Sequence, residues 1–527
     1  MNFPLSQLNT LSAATKAFVE KNSEIIELLG QSNNFLSIEK AINAKAQFKQ
    51  ENREILTNEL LLQYESIDNV SEKTIAQIEL LRQNNTFTIC TGQQLHPFLG
   101  PALVFYKIID TIKTAQHFKT LFPDKNFVPL FWMAGEDHDF DEVKTVHLYG
   151  KKFEWKTDQK GALGRFKTTE LGDLIEEIKN NVNLNEKQYQ TLEYFKIVYA
   201  QSNNFANATA KIINKLFGEY GLIAIDTDKP SLKNLFKAVI KDDVFKQSNF
   251  KAFNNFSEKL KGHKFSLQLS ARPINFFYLD NQFRERIEQS SNKFNIINSD
   301  KSFTTDELNK EIEQYPEKFS PNAVLRPVYQ ETILPNVAYI GGNAEINYWL
   351  QLKEVFEINQ ISTPFLKLRF SAWIVNKSIQ DWLNKNNLNA LDVLEANSDS
   401  EIVALFGNNI SEFQKYLTEF EVLKTKMVDY AFKEQIPESK NFNEKAKEFE
   451  KLINKMDNLW LEVQKIKFDK KLQKIKTIKI ITLNTKQIQE RLLSNLELLF
   501  INNDIIGIME KRAAFSDNSG IIEDLNN

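Results

Sequence analysis

Apolar side chains in the first 80 residues recur at intervals of three and four, as at Ile25, Leu28 and Leu29 and again at Ile55, Leu56, Leu60 and Leu61. This is the spacing of a helix with one buried face, and it predicts an N-terminal helical segment over residues 1–80. After the turn-forming Gln83–Asn85 the pattern changes. A β-rich run, TFTIC, passes through the loop TGQQLHPFLGP into a helical pattern, ALVFYKIIDTIKTAQHF. Strand, glycine-bearing loop and helix is the order of a nucleotide-binding α/β unit.

The same alternation continues. The apolar run NFVPLFWMAG ends in the charged stretch GEDHDFDE, a helical stretch over Ala206–Tyr220 precedes the strand-like GLIAID, and NVAYIGG opens the helical NAEINYWLQLKEVFE. Polar groups gather at the strand ends, which predicts an α/β core with a parallel sheet whose ligands sit at its carboxyl edge. The core spans 81–375, with polar insertions at about 151–200 and 240–320. Beyond about 376 the chain turns rich in Lys, Glu and Asn. Phe413, Tyr416, Phe420, Leu423, Met427 and Tyr430, then Phe442, Ala446, Phe449, Ile453, Met456, Trp460 and Val463, form two heptad seams around the break QIPES. They predict an antiparallel helical hairpin of coiled-coil type over 376–500, structural or dimerising in role, and leave 501–527 as a tail.

Composition narrows the function. With 527 residues the chain is long enough for two or three units. Its net charge of -3 and sequence pI near 6.1 give no electrostatic reason to expect nucleic-acid or anionic-membrane binding. No apolar run reaches membrane-spanning length and the start lacks the pattern of a signal peptide, so a cytoplasmic protein is expected. The single cysteine, Cys90, excludes an internal disulfide and a thiolate-rich zinc site. With no basic neighbour in sequence, it reads as a small buried strand residue rather than a nucleophile.

Three segments carry candidate chemistry. In TGQQ, Gly92 permits close backbone approach, while Thr91, Gln93 and Gln94 offer neutral donors and acceptors to a polar ligand. Gly100 and Pro101 then suit a helix start whose free N–H groups could hold a phosphate or carboxylate. In GEDHDFDE, the residues Glu136, Asp137, His138, Asp139, Asp141 and Glu142 admit three functions: cation binding, capture of a substrate ammonium or hydroxyls, and acid–base work through His138. A solvated acidic loop is the usual fate of such a run. Its place at the end of a buried strand, where carboxylates repel unless a ligand offsets them, favours function, with ammonium or hydroxyl binding ahead of a metal; no metal is predicted. The third segment, YIGGNAE, repeats the strand, glycine and helix order with Gly341, Gly342 and Glu345, without a P-loop or dinucleotide fingerprint. Arg326 and Gln330 in LRPVYQ, and Lys367, Arg369 and Ser371 in LKLRFSA, could hold phosphate or carboxylate, though each segment alone reads as a surface or salt-bridged strand.

Taken in order, TGQQ with the following GP and FYK, FWMAGEDHDFDEV, LFGEYGLIAIDTDKPSLK and SPNAVLRPVYQETILPNVAYIGGNAEINYW resemble the bacillithiol biosynthesis cysteine-adding family. That family is similar in fold to class I aminoacyl-tRNA synthetases. The resemblance implies a Rossmann-like core with connecting-peptide insertions, joined to an α-helical coiled-coil domain associated with dimerisation. It implies a ligase that forms an amide between cysteine and glucosaminyl malate after carboxylate activation, with ATP or another nucleotide. His138, Glu136 and Asp139 would then be catalytic, and Thr91, Gln93, Gln94, Asp137, Asp141, Arg326 and Gln330 substrate-binding. Gly92, Gly100, Gly341, Gly342, Glu345, Arg369 and Ser371 would bind the nucleotide, with KLRFS near the mobile lysine loop of a synthetase. Its partners would be the two small substrates and a second copy of the chain, with no nucleic acid and no membrane. Past about Lys467 only QER keeps the family pattern. A non-catalytic, nucleotide-binding dimeric scaffold is the alternative; tRNA aminoacylation is disfavoured by the acidic balance and the missing synthetase signatures.

Overall fold

The computed structural model describes residues 2–4, 11–30, 34–291, 293–374, 377–389, 392–393, 396, 398–406, 409–434, 439–484, 487–502, 506–507 and 519–523. They fall into two compact units, Met1–Ala372 with Glu490–Ile521, and Trp373–Gln489 with Ile522–Asn527.

The first unit is built on a five-stranded sheet. Its strands are β1 (Thr86–Gln93), β2 (Asn126–Met133), β3 (Ile223–Asp226), β9 (Asn336–Gly341) and β10 (Phe365–Leu368), all parallel, in the order β10-β9-β1-β2-β3. Both β1 and β2 are buried along nearly their whole length, as expected where helices cover both faces of a parallel sheet. Helix α1 (Leu103–Leu121) returns the chain from β1 to β2, and its Ala115 and Phe118 share a core with Phe87, Ile89, Phe127, Ile340 and Phe365. Short helices fill the N-terminal segment. Ser12, Asn22 and Asn34 cap three of them by accepting backbone N–H groups with their side chains, and Ile38, Ala41 and Ile42 reach the sheet core.

The insertions carry regular structure of their own. A β-hairpin over 145–154 and two helices, Leu171–Asn181 and Glu186–Ala200, form the first. The second holds an antiparallel sheet of β4 (Phe276–Leu279), β5 (Arg284–Ser290), β6 (Lys293–Ile296), β7 (Ser302–Thr304) and β8 (Phe319–Pro321), in the order β7-β6-β5-β4-β8. LRPVYQ is a helix, α2 (Arg326–Ile333), and not the strand its composition suggests. Pro327 in the first turn explains this, since its fixed φ suits a helix start where no N–H is needed. Helix α3 (Asn343–Leu350) follows β9 directly. QERLLSNLELLF at 489–500 marks the return of the chain to this unit, where helix Asn495–Ile501 packs.

The second unit contains two long helices, α4 (Asn409–Lys433) and α5 (Ser439–Thr482). They meet through the Phe420 and Phe449 rings, 5.1 Å apart, and through Lys424 and Glu450 at 3.2 Å. Tyr416, Leu423, Met427 and Tyr430 on α4 and Leu452, Met456, Leu459 and Val463 on α5 stay largely exposed. QIPE in the predicted break, the Phe413, Phe442, Ala446 and Ile453 side chains, and most of the tail lie outside the described residues. Among the described residues, no helix is long and apolar enough to cross a membrane.

Candidate active site

In the parallel sheet the chain builds outward from β1 to β2 and β3, then crosses back to add β9 and β10 on the other side. The crevice beyond the carboxyl ends of β1 and β9 is therefore the topological switch point, where ligands of open α/β sheets bind. TGQQ and YIGGNAE end on it. Thr91 Oγ1 donates to the Ile340 carbonyl at 2.8 Å, tying the two strands together. Gly92 lies so close to Trp132 that a Cβ there would stand 3.3 Å from the Trp132 Cβ.

At the centre is a residue that sequence reasoning did not select as a site residue. Lys107, on α1 and buried, donates to the Gly92 carbonyl and to Gln93 Oε1, both at 2.8 Å, and pairs with Glu345. Glu345 also accepts from the Gly342 N–H at 2.9 Å and from the Tyr339 hydroxyl at 2.7 Å. Burial pushes the Lys107 ammonium below its ordinary value while Glu345 pulls it back. The Glu345 carboxyl, which burial alone would raise, is held below the usual carboxylate range chiefly by Lys107. A lysine inside the otherwise apolar ALVFYKII was the available sequence signal.

The acidic run starts where β2 ends and β1 lies alongside, Gln93 opposite Met133. Its half-buried carboxylates meet cations from other elements. Glu136 pairs with Lys233 at 2.8 Å; Lys233 is fully buried, donates to the Phe319 carbonyl at 2.9 Å, and lies over the Tyr329 ring. Asp137 accepts from the backbone N–H groups of His138 at 2.8 Å and Asp139 at 3.3 Å and from Gln94 Nε2 at 3.1 Å, with Arg326 at 3.9 Å. Burial works to raise its pKa, but Arg326 and Arg284 together hold it below the usual carboxylate range. Arg284, from β5, donates to His138 Nδ1 at 3.0 Å. Desolvation and Arg284 lower the His138 pKa, which favours the neutral imidazole. Asp139 is exposed, Asp141 is exposed and pairs with Lys144 at 2.5 Å, and Glu142 accepts from Gln94 at 2.8 Å. What reads in sequence as an acidic wall is, in three dimensions, charge-balanced in its half-buried part. Among the described residues, no three or more His, Cys, Asp or Glu side chains group to hold a metal.

The other sequence candidates divide. Arg369 joins the crevice through its N–H, which donates to the Gly341 carbonyl at 2.8 Å. Its guanidinium pairs with Glu490 of QER and donates to Ser371 Oγ at 2.9 Å, while Nε is buried, has no hydrogen-bond partner among the described residues and faces Gly342. Lys367 is no mobile-loop residue: it lies in β10 and bonds both Asp110 carboxylate oxygens, at 2.9 and 2.8 Å, in the core. Gly100 does turn through a positive φ, +74°. The start of α1 beside it is covered, however, since the Ala102 N–H donates to the Leu493 carbonyl at 2.7 Å. Gln330 points elsewhere, bonding Glu331 at 3.0 Å; Glu331 in turn joins Asn336 at the opposite, amino end of β9. Cys90 is fully buried and burial drives its thiol pKa up, away from reactivity. Lys233 and Arg284 were not singled out from sequence either: Lys233 closes the quoted LFGEYGLIAIDTDKPSLK, and Arg284 lies in FRERIE, outside the quoted motifs.

Trp132, Glu136, Asp137, Thr227, Arg284 and Arg326 line a recess at this edge. A Rossmann-like sheet with matched acids, bases and donors at its switch point defines an enzyme of the Rossmann-like class, with a polar small-molecule site. Residues 1–370 match the family described as bacillithiol biosynthesis BshC, N-terminal Rossmann-like domain, and the chain belongs to that family. It is 35% identical to a protein of Flavobacterium johnsoniae and 36% identical to one of Flavobacterium psychrophilum, over 90% of this chain and 90% of each relative. A protein of Cytophaga hutchinsonii is 41% identical over 62% of this chain and 60% of its own. All three bear the name "Putative cysteine ligase BshC".

Proposed function

We propose that this protein is a cytoplasmic ligase that joins the carboxylate of cysteine to the amino group of glucosaminyl malate, the last step in making bacillithiol. The relatives' names support the cysteine-ligase reading. The observation that carries it to this chain is the switch-point crevice. There Gln93, Lys107 and Glu345 on one side, and Gln94, His138 and Arg326 on the other, offer donors and acceptors to a substrate rich in hydroxyls and carboxylates.

Amide formation from a free carboxylate is uphill, so a nucleotide such as ATP serves as co-substrate. The cysteine carboxylate attacks its α-phosphate and pyrophosphate leaves. The sugar amine then forms the C–N bond while the acyl–phosphate bond breaks; the nucleoside monophosphate departs with the electron pair, and the amine gives up its proton. The Gly341–Gly342 turn beside Arg369 Nε, which has no hydrogen-bond partner among the described residues, supports phosphate binding, and Asp139, exposed on its loop, takes the proton in this reading. Glu136 and Asp137, held by cations, position rather than exchange protons.

By this reading the insertions correspond to the connecting peptides of a synthetase-like core, and α4 and α5 form a coiled coil that pairs with a second copy. The exposed Leu452, Met456, Leu459 and Val463, at intervals of three and four, support that seam. Incubating the purified protein with cysteine, glucosaminyl malate and ATP should yield bacillithiol and a nucleoside monophosphate. Glucosaminyl malate that accumulates unchanged in cells lacking the gene agrees; undiminished bacillithiol there would overturn the reading.

A further inference from the structure

We propose that Arg284 is a positioning residue that fixes His138 as a neutral imidazole with its proton on Nε2, making His138 a hydrogen-bond donor in the site and not its general base. A guanidinium has donors only. Its Nη1 lies 3.0 Å from His138 Nδ1, so Nδ1 accepts and the ring proton belongs on Nε2.

Arg284 cannot turn away from this role. Its Nε donates to Ser320 Oγ at 2.9 Å, its Nη2 donates to the Pro321 carbonyl at 2.9 Å, and its plane lies 3.9 Å over the Phe277 ring. Two donors are thus fixed by β8 and one face by β4, and Phe277 also packs 5.6 Å from the His138 ring. The groups facing His138 are Arg284 and Glu285 from β5 and Asp137 and Asp139 from its own loop. Desolvation and Arg284 outweigh the three carboxylates, so protonation of Nδ1 is disfavoured in addition to being sterically pre-empted.

A base would have to take a proton at Nε2, the nitrogen that already carries one. An Nε2–H donor can instead polarise the acyl carbonyl or the phosphoryl oxygen as charge develops there. This role rests on the proposed ligase reading, whereas the tautomer does not.

The test separates the two. Nitrogen-15 spectra of the imidazoles in the full-length protein, with His138→Asn to assign the signal among five histidines, should show unprotonated Nδ1 and protonated Nε2 in the neutral ring, with a midpoint below the ordinary imidazole value. In Arg284→Gln the midpoint rises and the tautomers mix. Wild-type protonation at Nδ1, or titration at or above about 6.5, overturns the proposal whether or not the protein ligates cysteine. In the ligase assay, His138→Gln keeps a donor and lowers kcat less than about tenfold, whereas His138→Glu, an acceptor, lowers it about 100-fold or more. The reverse order would show a base and overturn the donor role, and a correct tautomer without any ligation would bring down only the proposed function.

Discussion

Lys233 and Glu136 lie 97 positions apart in the chain and meet at 2.8 Å, the ammonium fully buried and the carboxylate partly so. The pair joins the end of β2 to the short helix Pro230–Asn234, and Lys233 extends the link to β8 through the Phe319 carbonyl. The acidic run is therefore held at a buried strand end by cations supplied from other elements.

Removing one partner should be worse than removing both. Lys233→Met leaves a largely buried Glu136 carboxylate uncompensated and should cost about 3–5 kcal/mol in urea unfolding. Adding Glu136→Gln should recover a large part of that loss. A double variant as unstable as the single one would show that Lys233 acts through packing alone.

Asp137 sets an acid dependence. Its folded pKa lies below the unfolded value, so its contribution to stability is full above the unfolded carboxylate value of about 3.9 and is lost as pH falls through the lower folded one. Unfolding free energies measured from pH 6 to pH 2.5 should fall across that window. In Asp137→Asn the fall should be shallower; an unchanged slope would mean that Arg326 and Arg284 do not hold this carboxylate.

The apolar stripe on α5 offers a check on assembly. Met456→Glu with Val463→Glu should lower the mass measured by light scattering from that of a dimer to that of a single chain, with helicity retained. Both side chains are already exposed on the hairpin, so folding of the single chain should tolerate the change. A mass unaffected by the two charges would place the contact between copies elsewhere.

The pair formed by Arg369 and Glu490 predicts a role for QER. Glu490→Ala leaves a buried guanidinium without its carboxylate and should destabilise the protein by about 3–5 kcal/mol. Glu490→Asp, which keeps the charge, should lose less, as read by the thermal midpoint of each variant.

Period and punctuation made much of this protein readable without coordinates. The runs TFTIC, NFVPLFWM, IAID and NVAYIG had to be buried strands because their apolar residues are continuous and bounded by glycine and acids. TGQQ, GEDH and YIGGNAE had to cluster because strands in a parallel sheet end on one edge. Helix phase already escapes such reasoning at short range, as Gln330 shows. On α2 it turns toward Glu331 and the opposite edge of the sheet, although Arg326, one turn earlier, faces the site.

What only the tertiary structure decided is the sign of the charge that each candidate feels. His138 stands 146 positions from the Arg284 that fixes its tautomer, and Glu345 is held by Lys107 from α1, an element far earlier in the chain. Local sequence sets which backbone shape a segment adopts, because sterics and hydrogen bonds act between near neighbours. Coulomb forces and desolvation act through space, so a crowded acidic run acquired its meaning only when the fold brought Lys233, Arg284 and Arg326 to meet it.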